Sequence, residues 1–139
     1  MEESARYLML NGVIMLLAGL LAGIPYGRAI LRNRNQRSID AWRVAHGALP
    51  IGAILLLVIS LTFSSLSVSV NLKWVIAIVF IVSGYGFMLA LLLGPVVGQR
   101  GLSVKGPIAA KIVYSGNIVG AIASLVGTLI LLYAVWRII

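Results

Sequence analysis

The chain has 139 residues, of which 61% are hydrophobic and 10% charged, and its mean hydropathy is +1.09. Soluble domains carry about one quarter charged residues, so this composition excludes an ordinary soluble fold and implies a membrane protein with one compact domain over residues 1–139. The net charge is +8 and cysteine is absent, which removes disulfides, thiolate metal sites and thiol catalysis.

Four apolar segments are long enough to cross a bilayer. They are residues 7–30, 44–65, 72–96 and 109–136. No stretch alternates apolar and polar residues, which excludes a transmembrane β-barrel. The predicted fold is an all-α membrane protein, a four-transmembrane-helix bundle assembling as a homo-oligomer, because four helices of this size rarely enclose a full site alone. "MEESAR" lacks the basic start of a secretory signal, so the first segment is expected to stay in the protein.

In the first span Gly19, Gly23 and Gly27 form two overlapping GxxxG steps, and in the fourth Gly116 and Gly120 form another, continued by Ser124. Such stripes let helix backbones approach closely in lipid. Arg28, Arg32, Arg34, Arg37 and Arg43 surround the first loop, and Arg100, Lys105 and Lys111 belong to the third. Only Arg6, Lys73 and Arg137 fall on the other side. The positive-inside rule then puts loops one and three in the cytoplasm and both termini outside, with a bacterial inner membrane as the expected location. The same arginines would touch anionic lipid. A nucleic-acid partner is not expected, since no soluble recognition module is present.

The second span opens with "SIDAWRVAHGALP". Ser38 is a candidate N-cap with Asp40 in the first turn, and "SIDAWRVAH" reads as a helical lead-in. Pro50 has no N–H to offer the carbonyl four residues back, which is that of His46. A kink is expected there, with Gly47 adding freedom.

Polar residues within the spans are few, among them Asn11, Tyr26, His46, Ser83, Tyr85, Tyr114 and Asn117. The only acids are Glu2, Glu3 and Asp40, all outside the apolar cores. Paired-carboxylate catalysis and carboxylate metal cages therefore lack their groups. His46, the only histidine, has two readings. One is an interfacial side chain bonded to backbone or a lipid headgroup. The other is an axial ligand to haem iron, which leaves the opposite face of the iron open. In the second reading Arg43 or Arg100 could pair with the haem propionates.

"WRVAHGALP" followed by a long apolar helix, then "GYGFMLALLLGP" and "QRGLSVKGP" in that order, resembles the styrene oxide isomerase family. The resemblance covers about residues 42–107, with a fainter likeness around "NGVIML". It implies a small four-helix membrane enzyme that holds haem b between neighbouring subunits of a trimer. In it His46 would be the iron ligand. Ferric iron would act as a Lewis acid on a small hydrophobic epoxide such as styrene oxide, giving an aldehyde by a 1,2-shift. The position of the family's tyrosine is Met88 here, with Tyr85 three residues earlier on the same helix face. The family's asparagine after the histidine has no counterpart in "PIGAI", and Asn117 would bring an amide only by another route. Tyr85 and Asn117 are the candidate catalytic residues on that basis. The alternatives are a non-enzymatic haem-binding sensor or carrier, and a haem-free structural or assembly subunit.

Overall fold

A computed structural model describes residues 1–138. Five helices follow in order: α1 (Glu3–Leu21), α2 (Gly23–Leu31), α3 (Gln36–Thr62), α4 (Val70–Val97) and α5 (Ile108–Trp136), with a short 3-10 turn at Phe63–Ser65 after α3. Among the described residues there is no strand. α1 with α2, α3 with its 3-10 turn, α4, and α5 make four segments long and apolar enough to span a membrane. Each extends a few residues beyond the apolar stretch that marks it in the sequence, because the polar ends are helical too.

The helix of the second span is not ended at Pro50, where the kink is expected. α3 runs through Pro50 without interruption. The interruption is in the first span, at Ala22, and Pro25 explains it. In a continuous helix Pro25 would clash with the preceding turn and withhold a hydrogen bond from the Leu21 carbonyl. Restarting the helix at Gly23 puts Pro25 in the first turn of α2, where a missing N–H is harmless. The interruption is brief. The Ala22 N–H bonds the Ala18 carbonyl at 3.0 Å and the Tyr26 N–H bonds the Ala22 carbonyl at 3.2 Å.

The first loop is tight. Asn33 takes a left-handed conformation (φ 45°), and the Arg34 N–H reaches back to the Ala29 carbonyl at 3.0 Å, which closes the end of α2. The cap of α3 is Asn35, whose side-chain oxygen accepts from the Ser38 N–H at 2.9 Å. This corrects the expectation for Ser38, which lies inside the first turn, while the helical lead-in to the second span is present.

The core lies between α1, α3 and α4 and includes Leu8, Leu49, Leu56, Phe63, Ile76 and Phe80, all buried. α4 and α5 meet at glycines. A Cβ on Gly86 would stand 2.8 Å from the Gly120 nitrogen and 2.9 Å from the Gly116 carbonyl oxygen, so the backbones touch there. Ser83 adds a hydrogen bond to the Gly120 carbonyl at 2.8 Å. The stripe on α5 is thus used within the chain. α5 leans chiefly on α4, and only 17% of its most apolar window is buried, against 39% for α4. Its outer face is left to lipid or to another subunit.

At the end of the bundle holding the N-terminus, Lys73 is buried and its ammonium meets a Glu2 carboxylate oxygen at 2.6 Å. That pair fixes the start of α1 beside the start of α4. The basic first and third loops lie at the opposite end.

Candidate functional site

His46 faces the interruption in the first span. Its Nδ1 lies 2.9 Å from the Gly19 carbonyl oxygen. A carbonyl only accepts, so Nδ1 carries the proton of this contact, and in the tautomer with that single proton the lone pair lies on Nε2. Metal-bound histidines are commonly held this way, with the second ring nitrogen donating to a carbonyl or carboxylate. The break supplies the acceptor. With α1 ended at Leu21, the Gly19 carbonyl is turned to the imidazole rather than to the next helical turn.

Glycines make room for the ring. A Cβ on Gly23 would stand 3.0 Å from His46 Cε1 and 3.2 Å from Nδ1. A Cβ on Gly19 would be 2.5 Å from Pro50 Cδ and 2.9 Å from Leu49 Cβ. Two members of the first stripe therefore seat the His46–Pro50 face of α3, and the third, Gly27, has nothing within 4 Å of where its Cβ would be. The Tyr26 ring lies beside the imidazole, with centroids 6.1 Å apart and planes inclined by 32°. His46 is half-buried. Among the described residues no three His, Cys, Asp or Glu side chains come together.

A cavity of about 750 Å³ lies between the start of α3, the second half of α4, the third loop and α5. That is within the roughly 300–1,000 Å³ usual for ligand pockets. It exists because α5 leans on α4 and leaves α3 uncovered. Arg43, Arg100, Asp40 and Asn117 stand on its polar side, and Phe87 and Leu91 on its apolar side. Arg43 is paired with Asp40 at 2.9 Å. Asn117 Nδ2 donates to the Gly101 carbonyl at 3.1 Å and approaches the Arg100 carbonyl at 3.4 Å. Its amide fastens the third loop as one wall of the cavity.

The structure thus brings Arg43, Arg100 and Asn117 together and leaves His46 outside the lining. Val44 faces the cavity, and a residue two positions further is turned by about 200° on a helix, toward α1 and α2. Tyr85 lies apart as well. Its hydroxyl donates to Asn11 Oδ1 at 2.9 Å, and Asn11 Nδ2 donates to the Tyr7 carbonyl at 2.8 Å. Tyr85 and Met88 border a separate apolar groove of about 570 Å³, as their three-residue spacing implies. Asn11 rather than Asn117 is therefore the amide beside Tyr85. The available signal was Asn11 as a polar residue in a lipid-facing span; its partner depended on how α1 and α4 cross.

These features define a class: a small four-span membrane protein with one imidazole whose Nε2 is free to donate and a basic-rimmed apolar cavity nearby. The family model described as styrene oxide isomerase matches residues 4–136, nearly the whole chain and well beyond the two motif blocks. The chain belongs to the styrene oxide isomerase family. No curated protein matches it. The family name is that of an isomerase, which indicates this activity at the level of the family.

Proposed function

We propose that this chain is a haem-b-dependent membrane isomerase converting a small hydrophobic epoxide of the styrene oxide kind into an aldehyde. The observation that carries the reading is the hydrogen bond from His46 Nδ1 to the Gly19 carbonyl, which leaves Nε2 as the atom that would hold the haem iron. Arg43 and Arg100 at the 750 Å³ cavity suit the two propionates. When bound, ferric haem supplies a Lewis acid for the epoxide oxygen, so that ring opening and a 1,2-shift proceed without net electron transfer.

The chain's own residues divide the work. The Gly19 carbonyl fixes the imidazole tautomer, while Gly23 and Tyr26 hold the ring in its slot. Phe87 and Leu91 keep water from the cavity wall, which favours rearrangement over hydrolysis. Tyr85, oriented by Asn11, offers its hydroxyl oxygen to the neighbouring groove. Asn117 acts as a positioning residue through the third loop. Because His46 lies outside the lining of the cavity that Arg43 and Arg100 border, the site is proposed to be completed between copies, with His46 of one and the cavity of the next. This agrees with the trimer that the resemblance implies.

The test is a visible spectrum of the purified protein supplied with haem, followed by incubation with styrene oxide without reductant. A Soret band that is lost in His46→Ala, together with phenylacetaldehyde formation, is the expected result. A folded protein that stays colourless with haem present would overturn the reading. A haem-loaded protein inert toward several aryl epoxides would reduce it to a haem-binding membrane protein.

A further inference from the structure

The isomerase reading makes no use of the densest charge on the molecule. The closed turn after α2 brings Arg28, Arg32 and Arg34 to the rim of one concavity of about 320 Å³. Pro25, Ala29 and Pro95 form its apolar floor, and Trp42 is in its lining. The site joins α2, the start of α3 and the end of α4. Among the described residues no carboxylate lies within 4 Å of these three arginines. Asp40, the one acid at this end, is taken by Arg43 at 2.9 Å and by the Gln36 amide at 2.9 Å. Glu2 is bound to Lys73 at the far end. Three like charges around one hollow repel one another, and the protein supplies no counter-charge.

We propose that this concavity binds the phosphate of an anionic phospholipid. Guanidinium groups match phosphate oxygens in geometry as well as charge. The hollow lies where the apolar spans end, and an indole in its lining is the usual marker of headgroup depth. Ile24, Ile30 and Leu31 on the same helix are exposed and can meet acyl chains, which a free phosphate ion would leave unused. α2 also carries Gly23 and Tyr26, so a lipid tying α2 to α3 and α4 braces the slot around His46. The proposal itself is independent of haem.

The test uses the full chain in detergent with Trp74→Phe and Trp136→Phe, which leaves Trp42 as the single indole. Titration with phosphatidylglycerol should change its fluorescence saturably, and phosphatidylcholine should not. Arg28→Gln, Arg32→Gln and Arg34→Gln combined should weaken binding roughly a hundredfold, at about fivefold per arginine, whereas Lys105→Gln with Lys111→Gln should not. If the triple variant fails to keep its helical circular dichroism, Arg34→Gln alone should show the fivefold loss. Equal binding of the two lipids, or unchanged binding in the arginine variants, would overturn the proposal. Displacement of the lipid by inorganic phosphate at equal concentration would overturn it too, since the ligand would then be the free ion.

Discussion

At the scale of single residues, the imidazole depends on the glycine opposite it. In Gly23→Ala the new methyl would sit 3.0 Å from His46 Cε1, so the ring or the helix must move. The expected cost is about 1–3 kcal/mol. It should appear as a lower melting temperature in detergent and, on the proposed function, as weakened haem retention. An unchanged melting temperature and visible spectrum would show that the slot is looser than its geometry. The Tyr85–Asn11 contact makes a smaller prediction. Hydrogen bonds between membrane helices average about 0.6 kcal/mol, so a double-mutant cycle of Tyr85→Phe and Asn11→Leu should give a coupling of that order. If turnover falls much further than stability in Tyr85→Phe, the hydroxyl serves the reaction as well as the fold. His46 was legible in the sequence as the only histidine and hence the candidate iron ligand. The protonation of its ring was not, because that depends on a carbonyl 27 positions away.

At the scale of elements, two features govern the architecture: the interruption at Ala22 and the glycine crossing of α4 and α5. Glycines that look alike in sequence behave differently here. A Cβ on Gly86 would meet backbone on α5, which cannot yield by a rotamer change, whereas one on Gly27 would meet nothing. Gly86→Ala should therefore push the two helices apart and lower thermal stability by about 2 kcal/mol or more. Gly27→Ala should stay within about 1 kcal/mol of the parent, on the side helix propensity favours. Thermal unfolding of both variants in one detergent checks the pair, and equal effects would contradict the close approach at Gly86. The two prolines have a similar lesson. Pro50 and Pro25 both withhold an N–H, but a new helix starts at Gly23 just before Pro25, whereas α3 runs on through Pro50. Pro50 sits in a face packed tightly on Gly19.

At the scale of the whole molecule, the ends of the bundle are unlike. One end is joined by the Glu2–Lys73 pair, with Lys73 only 5% exposed. Glu2→Gln leaves that ammonium without a charged partner and should destabilise the protein by about 1–3 kcal/mol. Loss of protection at the start of α1 in hydrogen exchange would locate the effect, and an unchanged exchange pattern would deny the pair its role. The proposed shared site predicts complementation. Co-expressed His46→Ala and Arg43→Gln/Arg100→Gln chains should together hold more haem per chain than either variant alone, because some neighbours then combine an intact histidine with an intact cavity. Mixed assemblies that behave as the sum of their parents would place ligand and cavity in one chain.

The sequence by itself determined the apolar character of this protein, the number of its helices long enough to span a membrane, the end at which most of its positive charge lies and its single histidine. These follow from composition and from distances along the chain, which apolar length and charge placement report directly. Its two motif blocks also pointed to the family. Only the tertiary structure decided which carbonyl holds the imidazole, that Asn11 and not Asn117 meets Tyr85, and that His46 lies outside the cavity bordered by Arg43 and Arg100. Those relations are set by the rotation and crossing of whole helices. A turn of 100° per residue separates neighbours in sequence and joins residues far apart, and the crossing angle depends on which glycines let two backbones touch.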